Sequence, residues 1–268
     1  MSLLRASHPE PAVAVTALAA ALARATGASV GAVTGAFAAG QLATGWSNDW
    51  IDAARDRASG RTDKPLVRAE LPVRSVGVAA LGAVAACVPL SLRLGRSAGS
   101  CHLVAVASAL AYNAGLKSTW LSWAPYAVSF ALVPSVVTLA APGAAWAPRW
   151  ATVAGGMLGV GAHLANALPD LDDDARTGVR GLPHRLGAKG SAMSAAALLL
   201  TASALLAVGP GRPGRLAVGA VGLAGAVTGG GLALGRRAGS RAPFRAALAV
   251  AGLDVALLVA RGAELSPG

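Results

Sequence analysis

Nine apolar stretches, separated by polar or Pro/Gly-rich breaks, decide what this chain can become. They fall near residues 11–25, 28–46, 72–92, 99–116, 119–140, 149–168, 190–208, 214–234 and 243–261. A helix crossing a bilayer needs roughly 20 predominantly apolar residues, and in lipid a helix satisfies its own backbone polar groups. The expected fold is all-α: one multi-pass transmembrane domain over residues 1–268, built as a bundle of about nine helices. Composition agrees. Charged residues make up 13% and mean hydropathy is +0.57, whereas soluble domains carry about a quarter charged residues. The 34 glycines suit close packing of helices in lipid.

A formal net charge of +11 could suggest a nucleic-acid partner. The distribution of charge argues for topology instead, and no nucleic acid is expected. Of the 23 basic residues, 16 fall on the side of the 47–71 loop and seven on the other, which makes that side and the amino terminus cytoplasmic. Only three of the 23 are lysine, amid abundant Ala, Gly, Arg and Pro; a bacterial cell membrane is the expected location. The first apolar run resembles a signal peptide, but His8, Pro9, Glu10 and Pro11 directly before it fit a retained span better. Cys87 and Cys101 lie in or beside apolar runs and read as small apolar residues.

Two acidic clusters close apolar runs on the same side. In "NDWIDAARD", Asp49, Asp52 and Asp56 are spaced i, i+3 and i+7, with Asn48 stacked on Asp52 at i+4. In "DLDDD", Asp170 and Asp174 are four apart with Asp173 beside them. Seven of the twelve acids sit in these two segments. Unpaired carboxylates at a membrane boundary are costly, and ionisable groups there tend to be functional. Hard divalent cations remove that cost, and Mg²⁺ commonly combines a few carboxylates with substrate phosphates.

The two segments resemble the paired motifs of the UbiA superfamily of intramembrane prenyltransferases. "NDWIDAARD" has the Asn-Asp-x-x-Asp-x-x-x-Asp form and "DLDDD" the Asp-x-x-x-Asp form. The following "RTDKPL" and "TGVRGLPHRLG" are similar to that family's tails, and "YNAGLK" to its Tyr…Lys element between the motifs. The resemblance runs from the second span to the seventh.

It implies a central cavity opening sideways to lipid, with two Mg²⁺ ions, one per motif, gripping the diphosphate of an isoprenyl donor. Asp49, Asp52, Asp56, Asp170, Asp173 and Asp174 would be the metal ligands. Lys117, Lys64 and Arg61 lie on the side where a departing diphosphate needs positive charge, and Tyr112 belongs to the Tyr…Lys element. The implied activity is transfer of an isoprenyl group from a prenyl diphosphate to a lipophilic or aromatic acceptor, among membrane lipids.

Other polar residues have two readings. His163 and Asn166 precede Asp170 by seven and four positions and would face the cavity, to bind or deprotonate an acceptor; packing between helices is the alternative. Asn113, beside Tyr112, is placed similarly. The six tryptophans fall at span ends, as interfacial belts require. "GPGRPG" is a turn, with no strand–helix context for a phosphate loop. Asp254 stands alone inside the ninth span.

A terpene cyclase would use the same donor without an acceptor. Cyclases guide a cation with aromatic faces, and this chain has eleven Phe, Trp and Tyr residues, six of them tryptophans at span ends; transfer is the expected outcome. A transporter could also carry carboxylates at broken helices, but acidic groups at the cytoplasmic mouth favour an enzyme. Arg24 lies at the far end of the first span, so no arginine in the first two spans flanks the site to hold a benzoate-type acceptor.

Overall fold

The computed structural model describes residues 2–58, 66–68, 70–209, 211–235 and 240–265. Among them are eleven α-helices and no strand: α1 (Ser2–Arg5), α2 (Pro9–Thr26), α3 (Val30–Ala58), α4 (Val73–Leu92), α5 (Arg96–Asn113), α6 (Ala124–Leu139), α7 (Arg149–Ala167), α8 (Leu171–Arg176), α9 (Leu182–Val208), α10 (Arg215–Leu234) and α11 (Ala242–Ala260). Two 3-10 turns, Leu116–Ser118 and Gly262–Leu265, complete the described elements. The nine long helices coincide with the nine expected apolar runs; α1 and α8 were not foreseen. The helices α4, α9, α10 and α11 are long and apolar enough to cross a membrane by composition alone. By contrast, α3, α5 and α7 carry polar residues of the cavity described below, and α6 has only 16 residues.

Four departures from the sequence reading have a local reason. The second span does not end at 46; α3 runs 29 residues to Ala58. At 1.5 Å per residue that is about 43 Å, against roughly 30 Å of hydrocarbon, so the first acidic motif rides on a helical extension. Alanines 53, 54 and 58 and the Asp52–Arg55 pair at i, i+3 sustain it.

The sixth span breaks after Ala167: Leu168 keeps helical angles, but Pro169 has no N–H with which to continue the ladder. Asp170 then takes the N-cap position of α8. His163, Asn166 and Asp170 therefore do not share one uninterrupted helix. The fifth span begins at Ala124 rather than 119, after the 3-10 turn and the bend through Trp123. The seventh begins at Leu182 and kinks at Gly187, whose φ of 69° is left-handed and suits glycine.

Packing places the helices around a cavity. On α7, Gly155 and Gly159 are four apart and face α6; an added Cβ would lie 2.6 Å from the Phe130 carbonyl oxygen and 2.5 Å from that of Tyr126. The two backbones touch through this small-residue seam. Elsewhere α3 packs on α2 and α4, α5 on α6, and α7 on α9, with α10 and α11 closing the far side. Leu22, Val33, Val136, Val137 and Leu206 form one buried apolar cluster; Leu158, Leu164, Leu199 and Val250 form another. Cys87 and Cys101 are free and buried. Asp254 is fully buried and accepts a hydrogen bond from Ser203 at 2.5 Å.

Candidate active site

Helices α2, α3, α5, α6 and α7, with the start of α8, wall a cavity of about 510 Å³. Its mouth is polar. The extension of α3 contributes Asn48, Asp52, Arg55 and Asp56; the end of α5 contributes Tyr112 and Asn113; the 3-10 turn contributes Lys117. From the other side come His163 and Asn166 of α7, then Asp170 and Asp174. Two acidic segments 118 residues apart at Asp52 and Asp170 thus share one wall-to-wall space.

Asp52 anchors the first half. Its Oδ1 accepts from Lys117 Nζ at 2.5 Å and its Oδ2 from Arg55 at 2.6 Å. Both Asp52 and Lys117 are buried, which makes one-sided loss of either charge expensive. Burial pushes the Lys117 ammonium below the usual lysine range, and the bond to Asp52 pulls it back up. The adjacent amides are also fixed. Asn48 Nδ2 donates to Asn113 Oδ1 at 3.2 Å, while Asn113 Nδ2 donates to the Thr44 carbonyl at 2.8 Å and to Ser47 Oγ at 2.9 Å.

On the opposite wall, buried Ser122 accepts the Leu182 N–H at 2.9 Å and lies 3.0 Å from His163 Nε2. With Oγ already an acceptor, its hydroxyl proton is available to His163. The His163 ring stacks on Tyr126 at 4.7 Å and meets Tyr112 edge-on at 5.7 Å. Below these rings the walls turn mostly apolar, with Val15, Phe37, Val106, Phe130 and Val136, and carry Gln41, His102 and Ser129 among them.

Two expected ligands stand apart from this wall. Asp49 is buried behind the cavity, 2.9 Å from His8 Nε2, and is not among its lining residues. His8 reaches it from a left-handed backbone, φ 52°, a conformation uncommon outside glycine. Asp173 is half exposed and pairs with Arg176 outside the cavity. Arg61 and Lys64 lie outside the described residues. Sequence reasoning did not anticipate His8, Arg55, Ser122 or Tyr126. Arg55 was legible as an i+3 partner of Asp52; the others carry no local signal.

The donor set suits Mg²⁺. Among the described residues no three His, Cys, Asp or Glu side chains gather closely enough to cage a metal alone. Mg²⁺ does not require that, since it typically takes one or two carboxylates and fills its shell with water and phosphate oxygens. Asp52 and Asp56 on one side, and Asp170 and Asp174 on the other, offer oxygen ligands of that kind.

Residues 11–253 match the UbiA prenyltransferase family. The chain belongs to that family. Solved structures of UbiA homologues share its fold. One from Archaeoglobus fulgidus, bound to GPP and Mg²⁺, superposes with a TM-score of 0.73 at 20% identity over 98% of each chain. An apo homologue from Aeropyrum pernix K1 gives 0.71 at 21% identity, over 94% of this chain and 98% of its own. A digeranylgeranylglyceryl phosphate synthase gives 0.66 at 12% identity, over 98% of this chain and 97% of its own. No curated protein sequence matches the chain significantly. A UbiA-family chain is thus a helical bundle here too, with both acidic motifs at one cavity.

Proposed function

We propose that the protein is a single-domain, Mg²⁺-dependent prenyltransferase of a bacterial cell membrane, with its acidic motifs on the cytoplasmic side. It moves an isoprenyl group from a prenyl diphosphate to a lipophilic or aromatic acceptor. The observation that carries this reading is the convergence of Asp52, Asp56, Asp170, Asp174 and Lys117 on the mouth of one cavity whose deeper walls are mostly apolar. The UbiA homologue from Archaeoglobus fulgidus bound to GPP and Mg²⁺ supports it.

Two Mg²⁺ ions, one at Asp52 and Asp56 and one at Asp170 and Asp174, would supply charge neutralisation for the departing diphosphate. The protein's own residues do the rest. Lys117 exchanges its bond with Asp52 for the phosphate oxygens of the bound donor, adding fixed positive charge in a dry site. Asn48 and Asn113, locked to each other, hold the floor of the diphosphate pocket. The apolar walls exclude water, so that the allylic cation is kept for the acceptor. His163, whose Nε2 accepts from Ser122, turns Nδ1–H towards the acceptor and orients it. Lys64 and Arg61 would add positive charge from the segment after the first motif.

A cyclase remains a second reading on one observation. Four of the five Phe and Tyr residues in the chain, Phe37, Tyr112, Tyr126 and Phe130, line the cavity. The few aromatics are therefore concentrated where a cation would form, which removes the argument from scarcity. One experiment separates the readings. Purified protein is incubated with Mg²⁺ and prenyl diphosphates of several lengths, with and without a lipid extract. Diphosphate release that requires the extract, with a product heavier by the prenyl group, supports transfer. A hydrocarbon formed without extract supports cyclisation. No metal-dependent release from any donor would sink both.

A further inference from the structure

The far end of the cavity, where Phe37, Val133 and Val136 meet the polar side chains of Gln41 and Ser129, contains one imidazole. His102 is the deepest α5 residue on its wall, 11 residues and therefore about 16 Å below Asn113 at the mouth. Its ring lies 4.6 Å from that of Phe37 and is 3% exposed. Gly40 makes the position possible: a Cβ there would come within 3.2 Å of both Cε1 and Nε2 of the ring.

The ring's proton is located by its neighbour. Ser91, fully buried at the end of α4, lies 2.6 Å from the Cys87 carbonyl oxygen and 2.7 Å from His102 Nδ1. Each short contact needs a proton between its atoms. The carbonyl has none, so the single hydroxyl proton of Ser91 goes there, and the proton facing Ser91 must come from Nδ1–H of His102. Nε2 is left with its lone pair. It has no protein partner among the described residues, and His102 borders the cavity.

We propose that His102 is a selectivity residue: its Nε2 accepts a hydrogen bond from a hydroxyl or N–H group at the distal end of the molecule that fills the cavity. This rests on the reading that the cavity holds a prenyl diphosphate. A plain hydrocarbon terminus would strip water from the imidazole nitrogen and return nothing. Sites built to bond a substrate hydroxyl discriminate strongly against analogues without it. The floor therefore selects for a donor group on the lipophilic tail, or on a second substrate lying along it, and against an unfunctionalised chain of the same length.

The test uses purified full-length protein with Mg²⁺. Binding is measured for geranyl, farnesyl and geranylgeranyl diphosphate and for the counterpart of each carrying a terminal hydroxyl. At the length that reaches His102, the hydroxylated ligand should bind roughly tenfold tighter or more. His102→Phe, which fills the space without a lone pair, should erase that preference and tighten the plain ligand. His102→Gln, which restores a carbonyl acceptor, should recover part of it. Parity at every length in the parent protein, or a preference that survives His102→Phe, overturns the assignment. Failure of every diphosphate to bind would instead overturn the functional reading. In that case ¹⁵N NMR of the histidines still decides: Nε2 of His102 should be unprotonated and should shift when farnesol, a hydroxyl donor without diphosphate, is added. A protonated Nε2, or no shift, overturns the assignment by itself.

Discussion

Lys117 Nζ lies 2.5 Å from Asp52 Oδ1, although the two residues are 65 positions apart and both are buried. The pair joins the extension of α3 to the turn between α5 and α6, and Arg55 completes it on the other carboxylate oxygen. Asp52 is thus held between two cationic side chains. It also keeps the lysine beside the place where a diphosphate would arrive. Lys117→Gln should lower turnover on the order of 10²-fold and weaken donor binding, as loss of one oxyanion donor does elsewhere. Lys117→Arg should recover only part, because a planar fork replaces a compact ammonium. Steady-state kinetics and donor titration read both effects; parent-like kinetics in Lys117→Gln would reduce the lysine to a structural partner of Asp52.

Asp52→Asn and Asp174→Asn should each abolish nearly all turnover, at least 10²-fold, with the protein still folded in detergent. Asp173→Asn should be far milder, since Asp173 is half exposed and paired with Arg176 outside the cavity. Chelation of Mg²⁺ in the parent should reproduce the severe phenotype. Equal losses at Asp173 and Asp174 would mean that the second motif turns inward differently on binding.

Ser122→Ala should separate positioning from fold. The substitution frees His163 and leaves the Leu182 N–H without its acceptor, at a cost of about 1–3 kcal/mol. Thermal unfolding should shift down by a few degrees, and kcat should fall with donor KM unchanged, because the proposed function sets His163 at the acceptor rather than at the diphosphate. An altered donor KM with normal kcat would contradict that division.

Gly159→Leu should part α6 from α7. A Cβ at this position meets the Tyr126 carbonyl oxygen at 2.5 Å and Phe130 Cβ at 2.8 Å, and backbone cannot yield. Overpacking of this kind typically costs about 1–3 kcal/mol, and Tyr126 would move with its helix. The expected result is a lower unfolding temperature and weakened donor binding together. Gly35→Leu, where the added atom meets nothing within 4 Å, serves as the control.

Topology can be checked directly. Arg57→Cys, at the end of α3, and Thr177→Cys, just after α8, should both react with a membrane-impermeant thiol reagent from the cytoplasmic side. Labelling from opposite sides would be incompatible with the shared cavity.

Much of this was legible in the linear chain. The nine apolar runs gave nine long helices because a span must be both apolar and internally hydrogen-bonded, and composition records both demands. The motif spacings placed Asp52 with Asp56 and Asp170 with Asp174 because those intervals are local geometry. Boundaries were less readable where a side chain's partner lay elsewhere. The α3 extension survives past residue 46 partly because Lys117 and Asn113 reach across to its polar face. The position of His8, which pins Asp49 from a left-handed turn, has no periodic signature at all.

By itself, then, the sequence determined the class of fold, the nine long helices and the two acidic motifs, since all three follow from hydropathy and residue spacing along one chain. Tertiary structure alone decided which carboxylates face the cavity and which turn away, as Asp49 and Asp173 do. It alone brought Ser122 to His163 and Ser91 to His102. Spacing fixes only a residue's direction on its own helix. What that direction meets depends on how neighbouring helices pack, and close contacts such as Gly159 against Tyr126 set that packing.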